Sequence, residues 1–368
     1  MWYELFNPDA VDSPALLVFP DRVQANIQLA LSYVDGRAER LRPHIKTHKT
    51  SEVMRLMLEA GIRQIKCATP AEAEMAAQAG VPDILLAYQP VLPKARRLAD
   101  LAARYSACRF SCLLDNEASA EMLGQVFAER GQTIAVWLDL NVGQHRTGLP
   151  PEKALALWRF CTQTPGLTPI GLHAYDGHLR DSDLTVRCQK ADAAFESVER
   201  LAAQLTPRPA IVASGSPTFP CHARRPEVVC SPGTFIFWDW GYAQALPDMS
   251  FQWAAVLLTR VVSILDDQTL CLDLGHKAVA SENPMDKRVH FLNAPEAQPC
   301  SHSEEHLTVT VPDTKRHRVG EVWYGIPYHI CPTVALHETL VVVENQKAVG
   351  QWKVEARSRG GAVLDLRF

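Results

Sequence analysis

One lysine stands between two histidines in the run Leu41-Arg42-Pro43-His44-Ile45-Lys46-Thr47-His48-Lys49-Thr50. Side chains alternate along an extended segment, so residues 44, 46 and 48 are expected on one face, with Lys46 beside His44 and His48. A lysine amine, with an ordinary pKa of about 10.4, becomes nucleophilic when cationic or desolvating neighbours lower that value. Lys46 is therefore a candidate Schiff-base nucleophile. A basic turn on a solvated face is the alternative reading of the same residues.

Two later stretches have the composition of anion-binding loops: Ser214-Gly215-Ser216-Pro217-Thr218 and Ser231-Pro232-Gly233-Thr234. Small residues let backbone N–H groups approach an anion, and the hydroxyls add donors. Asp139-Leu140-Asn141-Val142-Gly143-Gln144-His145-Arg146 offers a guanidinium, and His173-Ala174-Tyr175-Asp176-Gly177-His178 offers a phenol and an imidazole. Tyr175 is a candidate phosphate partner, and His178, with an imidazole suited to proton transfer, a candidate acid or base. Near the end, Tyr328-His329-Ile330-Cys331-Pro332-Thr333 sets imidazole and thiol two residues apart. In an extended segment both would face the same space, and both are zinc ligands. His302-Ser303-Glu304-Glu305-His306 matches an inverted zinc-protease pattern, but that pattern needs a helix and the following Leu307-Thr308-Val309-Thr310-Val311 reads as a strand.

The elements that must position these groups alternate from residue 41 to about 240. Eight short apolar runs (41–46, 64–69, 83–89, 110–115, 133–140, 167–175, 209–216 and 227–235) are separated by amphipathic segments, the pattern of βαβ units on a parallel sheet. Thr69-Pro70-Ala71-Glu72 opens a helix with a hydroxyl cap, proline in the first turn and a carboxylate three residues after the cap; Gly80 closes it. Val53, Leu56, Met57 and Ala60 repeat at helical spacing before Gly61. Eight such units predict an α/β fold, a (β/α)8 TIM barrel, with an open doubly wound sheet as the alternative. The expected barrel spans 13–245. Runs at 254–264, 269–274, 307–311 and 339–343, with few helices between them, predict a C-terminal, mostly antiparallel β domain made of 1–12 and 246–368. In such a barrel functional groups gather at the C-terminal strand ends, and phosphates are held after strands seven and eight. A lysine ending strand one and anion-ready loops ending strands seven and eight together suit pyridoxal phosphate.

At 368 residues the chain is long enough for a large domain and a smaller one, and 47% hydrophobic with 21% charged residues is an ordinary globular mixture. A net charge of −4 supplies no basic field for nucleic acid, which points to small-molecule partners. The start is acidic and interrupted by proline, unlike a signal peptide, and no apolar run approaches the roughly 18 residues of a membrane span. The ten scattered cysteines, with no C-x-x-C pair, are read as buried thiols of a reducing cytoplasm.

Taken together, Arg42-Pro43-His44-Ile45-Lys46-Thr47-His48-Lys49, Arg146-Thr147-Gly148, Tyr175-Asp176-Gly177-His178, the serine-glycine loop at 214–218, Pro232-Gly233-Thr234, Asp273-Leu274-Gly275-His276-Lys277 and His329-Ile330-Cys331-Pro332-Thr333 resemble a known family over nearly the whole chain. It is that of the fold-type III pyridoxal phosphate enzymes related to alanine racemase, specifically the D-threonine aldolase and D-serine dehydratase group. The resemblance implies that Lys46 bonds the cofactor, with His44, Arg146 (near the pyridine nitrogen) and Tyr175 around it. It likewise implies that Ser214, Gly215, Ser216, Thr218, Gly233 and Thr234 hold the phosphate. Lys46 and His178 would be catalytic, and His329 with Cys331 would bind a divalent metal: zinc, or else manganese or magnesium. The implied protein is a cytoplasmic homodimer, a lyase of β-hydroxy-D-amino acids. Its metal would act as a Lewis acid in either retro-aldol cleavage to glycine and an aldehyde or dehydration to pyruvate and ammonia. Cys331, where aldolases of this kind carry aspartate, argues for zinc and dehydration. The stretches at 274–284 and 303–307 are similar to the aldolases, and the balance favours aldolase. A racemase using Tyr324 or Tyr328 as the opposing base, and a non-catalytic cofactor-binding protein, are the remaining alternatives.

Overall fold

The computed structural model describes residues 1–359. The strands are β1 (Ala15–Val18), β2 (Gln64–Cys67), β3 (Asp83–Leu86), β4 (Arg109–Leu114), β5 (Ile134–Leu140), β6 (Leu167–Ala174), β7 (Ala210–Ala213), β8 (Val228–Cys230), β9 (Ala255–Ile264), β10 (Thr269–Leu272), β11 (Val289–Phe291), β12 (Gln298–His302), β13 (Leu307–Thr310), β14 (Val322–Pro327), β15 (Thr339–Glu344) and β16 (Lys347–Lys353). The α-helices are α1 (Pro20–Ser32), α2 (Ser51–Glu59), α3 (Pro70–Gln78), α4 (Leu92–Arg104), α5 (Glu117–Ala128), α6 (Pro151–Gln163), α7 (Leu184–Ala202), α8 (Phe219–Ala223), α9 (Trp240–Ala245) and α10 (Ile330–Leu336). No helix among the described residues is long and apolar enough to cross a membrane. The described residues form two compact units, one of residues 30–46, 54–233 and 358–359, the other of 1–29, 47–53 and 234–357.

In the first unit β2 to β8 form one parallel sheet in sequence order. The run 41–45 completes the ring. Arg42 N donates to Cys230 O at 2.8 Å and His44 N to Pro232 O at 2.9 Å, while Ile45 N donates to Lys66 O at 2.9 Å and Lys66 N to Pro43 O at 2.8 Å. Leu41 thereby bridges β8 and His44 bridges β2, in parallel on both sides. The (β/α)8 barrel expected from the sequence is thus present, with its first strand reduced to two bridges because Pro43 has no N–H to donate. Alternation does not extend to residue 48 as expected, since residues 45–48 turn. The helices follow their signals: Thr69 Oγ1 accepts from Glu72 N at 3.2 Å, and the Glu72 carboxylate returns to Ala68 N at 2.6 Å. Within the barrel Leu85, Leu113, Trp137 and Val212 pack together. Cys188 and Cys221 form a disulfide that ties α7 to α8, which corrects the reading of all ten cysteines as thiols.

In the second unit nine strands form a mixed sheet, ordered β12-β13-β10-β9-β1-β15-β16, with β14 pairing both β9 and β11. Every pair is antiparallel except β1 with β15. The boundary at residue 13 put β1 in the barrel; its ladders instead join β9 and β15. All four residues of β1 are buried, and such an apolar run has no period that tells a barrel strand from an inner strand of another sheet. Tyr3, Leu5 and Val11 pack with Leu17, Val256, Tyr324 and Ile326 in this unit's core. Residues 360–368, the end of the expected β domain, lie outside the described residues.

β6 packs closely on Trp137. A Cβ at Gly171 would overlap the indole ring and lie 2.7 Å from Ala210 O. Gly171→Ala is expected to cost about 1–3 kcal/mol through overpacking, read as a lowered denaturant midpoint with unchanged slope.

Candidate active site

Lys46 follows directly on the bridges that close the barrel, and it is half-buried. Its backbone N–H donates to His44 Nδ1 at 3.3 Å, so the imidazole fixes the peptide that carries the lysine. His48 lies in the 47–53 segment of the β unit, fully buried, with Nδ1 accepting from Thr50 N at 3.2 Å. Burial pushes its pKa down to about 3, so it is a neutral structural group rather than a partner on a shared face.

The barrel holds a second lysine that the sequence reading passed over. Lys66 on β2 is 2% exposed; its Nζ donates to Ser231 Oγ at 2.7 Å and lies 3.4 Å from His173 Nε2. Burial, reinforced by the charge of Lys46, lowers its pKa to about 7. His173 Nδ1 sits 2.7 Å from Asp139 Oδ1, and Asp139 Oδ2 accepts from Gln89 at 2.8 Å and Thr147 at 2.9 Å. The available signal was a charged residue inside a buried strand run, a placement that costs free energy unless something offsets it.

The two small-residue loops are joined to each other. Ser231 N donates to Ser214 Oγ at 3.0 Å, and Gly233 N donates to Ser216 Oγ at 3.2 Å. Ser214 is completely buried with φ of 79°, a left-handed conformation uncommon for serine. Behind the first loop Asp176 binds both Thr218 Oγ1 and His222 Nε2, the latter at 2.7 Å, and Thr218 Oγ1 accepts from Gly215 N at 3.2 Å. Burial alone would raise the Asp176 pKa, but His222 and Thr218 hold it below the usual carboxylate value. The Tyr175 ring lies over two glycines: a Cβ on Gly177 would strike its hydroxyl, and one on Gly215 would come within 2.9 Å of the ring. Arg146 is exposed with Cζ 5.3 Å from the centre of that ring, and Lys66 Nζ is 5.5 Å from it. His178 is exposed and packs on Gly143, where a Cβ would lie 2.8 Å from its Nε2. The barrel unit therefore gathers Lys46, His44, Arg146, Tyr175, Ser214, Gly215, Ser216, Thr218 and Gly233 at the C-terminal ends of its strands. A paired serine loop, a glycine cradle under an aromatic ring and a buried cation fit an aromatic phosphate such as pyridoxal phosphate.

Thr234, His329 and Cys331 belong to the other unit. The H-x-C segment is not extended, as the sequence suggested: His329 is the N-cap of α10, and Pro332 in the first turn suits a helix start. The side chains still meet, because the cap position and the first turn bring them together. A hydrogen bond to Cys331, with Glu282 and Asp239 adding to it, outweighs burial and raises the His329 pKa to about 9. Glu282 Oε1 is 2.5 Å from His329 Nδ1, and Cys331 Sγ lies 3.2 Å from Thr47 Oγ1 and 3.7 Å from Thr234 Oγ1. Among the described residues no set of three or more His, Cys, Asp or Glu side chains is placed to hold a metal ion. The donor chemistry nonetheless suits zinc, with a carboxylate on Nδ1 fixing the ring and leaving Nε2 as the ligand atom. His302 to His306 span a strand end and a turn, and Glu304 and Glu305 pair with Lys277, so no inverted zinc helix exists.

Known proteins share this arrangement. The alanine racemase N-terminal domain matches residues 18–239, and a putative serine dehydratase domain matches 254–343. Over 360 residues the chain is 28% identical to a D-threonine aldolase of an Arthrobacter species, spanning 94% of this chain and 93% of that one. It is 32% identical over 173 residues to the D-threo-3-hydroxyaspartate dehydratase of a Delftia species, 46% of this chain and 42% of the dehydratase. The crystal structure of the D-threonine aldolase from Filomicrobium marinum superposes with a TM-score of 0.87 at 26% identity, spanning 94% of this chain and 95% of that one. With a family match over more than half its length, the chain belongs to the alanine racemase-like, fold-type III pyridoxal phosphate family, in the group of D-threonine aldolases and D-serine dehydratases.

Proposed function

We propose that the protein is a pyridoxal phosphate- and divalent metal-dependent lyase of β-hydroxy-D-amino acids that cleaves them, in the manner of a D-threonine aldolase, to glycine and an aldehyde. The observation that carries this reading is Lys46, set by the barrel-closing bridges in the same unit as the joined serine loops. Full-length likeness to the Arthrobacter aldolase supports the reaction class. When bound, the cofactor supplies an electron sink for the bond broken at Cα, and the metal, taken as zinc with manganese or magnesium as alternatives, supplies a Lewis acid for the β-hydroxyl.

The chain's own groups do the rest. Lys46 would hold the cofactor through its amine, on a backbone that His44 fixes in place. Ser214, Gly215, Ser216, Thr218, Gly233 and Thr234 receive the phosphate, and Tyr175 stands over the two glycines beside them. Arg146 would lie near the ring nitrogen, where a guanidinium can donate a hydrogen bond without releasing a proton. His178 moves a proton, and His329 and Cys331 hold the metal. Dehydration is the second reading, favoured by the Cys331 thiol and by partial likeness to the Delftia dehydratase. Racemisation through Tyr324 is disfavoured, since that side chain is buried with its hydroxyl accepting from Leu5 N at 3.1 Å. We infer a homodimer working in the cytoplasm; eight cysteines outside any disulfide suit that compartment, although the Cys188–Cys221 disulfide is uncommon there.

Incubation with D-threonine, D-serine and D-alanine tests the reading by product: glycine with acetaldehyde is expected, whereas pyruvate with ammonia selects dehydration and L-alanine selects racemisation. Lys46→Ala should remove the cofactor's visible absorbance and lower turnover by roughly 10³-fold or more; an unchanged spectrum moves the linkage to another lysine. Exhaustive chelation should abolish turnover while the cofactor band persists. In Cys331→Asp protein, reconstitution should shift from zinc towards manganese, and an unshifted preference removes Cys331 from the metal site.

A further inference from the structure

Lys66 is a buried cation for which, among the described residues, no carboxylate lies within ion-pair distance. Its two hydrogen-bond partners are neutral. Asp139 keeps the His173 proton on Nδ1, which turns the Nε2 lone pair to Lys66 at 3.4 Å. Ser231 Oγ accepts from Nζ at 2.7 Å and has its one proton within reach of two carbonyls, Ser214 O at 2.9 Å and Ala213 O at 3.1 Å. An ammonium has three donors, and these contacts occupy two. The charges facing it are Lys46 and Arg42 from the barrel-closing run, which oppose its proton, and Asp139 and Asp176 from β5 and the end of β6, which favour it. Packing alone does not require this residue, because an apolar side chain of similar volume in its place is often neutral or stabilising.

We propose that Lys66 is a second cofactor-directed lysine, whose ammonium, held by Ser231 and His173, supplies the positive charge that retains the anionic cofactor inside the barrel. This rests on the reading of Lys46 as the cofactor's covalent partner. A bound anion keeps the proton on Lys66, so cofactor binding takes up a proton wherever the free protein has begun to lose it, above about pH 7. By linkage the affinity falls as pH rises through that range. The cofactor's own phosphate, with a second pKa of about 6, is already dianionic there.

The test is calorimetric binding of pyridoxine 5′-phosphate, which lacks the aldehyde and so bypasses Lys46 chemistry, to the full cofactor-stripped chain at pH 7.0 and 8.5. Wild-type affinity is expected to drop about tenfold between the two. Lys66→Met should bind at least about tenfold more weakly at pH 7.0 with little further loss at 8.5, and Lys66→Arg, charged throughout, should stay tight at both. Lys66→Met protein that matches wild type in affinity and pH dependence overturns the proposal. Weak binding in both variants also overturns it, because the defect is then structural rather than one of charge. Borohydride fixation of pyridoxal phosphate reads the Lys46 assignment separately: label on the Lys46 peptide with no Lys66 effect rejects this inference alone, and wild-type protein that takes neither label nor analogue rejects both.

Discussion

Four backbone hydrogen bonds clamp residues 42–45 between β8 and β2, and the placement of Lys46 in the barrel depends on them. They turn a seven-stranded sheet into a ring, so the C-terminal strand ends of β5 to β8 are carried round to face the residue that follows the clamp. That residue is Lys46. A side chain on an open sheet edge would move with the edge; one placed immediately after a two-sided clamp inherits the rigidity of both neighbours. Pro43 limits the clamp to two bridges, and the turn it leaves at 45–48 sets Lys46 off the strand direction.

Local signals carried the parts of the fold that local physics decides. Thr69 and Glu72 cap α3 because a hydroxyl and a carboxylate three residues apart satisfy the exposed N–H groups of that helix start wherever it packs. The order of the barrel strands was equally legible, since strand and helix periods alternate. What the sequence could not reveal is pairing between distant residues. β1 has four buried residues and no period, so nothing local distinguishes its sheet. Asp176 lies on the loop after β6 and His222 in α8, and Cys188 and Cys221 are 33 residues apart without a motif to announce them.

At the candidate site the visible half was the half with unusual composition: histidines around a lysine, serines beside glycines, imidazole beside thiol. The hidden half is the support. Ser214 holds a left-handed φ because Ser231 bonds its hydroxyl, and Thr218 accepts from Gly215 because Asp176 and His222 fix it from behind. These residues are ordinary in type and become informative only when brought together. The His329–Cys331 pair shows the converse: the two residues were expected to share a space along a strand, and they meet at a helix cap instead.

The charges of the barrel explain why Lys46 and Lys66 matter together. Arg42 is neutralised by Asp83 at 2.8 Å, Asp139 is taken up by His173, Gln89 and Thr147, and Asp176 by His222 and Thr218. Each buried carboxylate thus has its own partners, and among the described residues none forms an ion pair with either lysine. Burial first, and then repulsion from the neighbouring Lys46 ammonium, loosens the proton of Lys66. An ammonium whose hydrogen-bond partners are neutral, with Asp139 and Asp176 acting on it only from beyond ion-pair distance, is poorly solvated by itself and suited to an anionic ring compound. The same burial that makes this ammonium costly therefore favours an anion beside it.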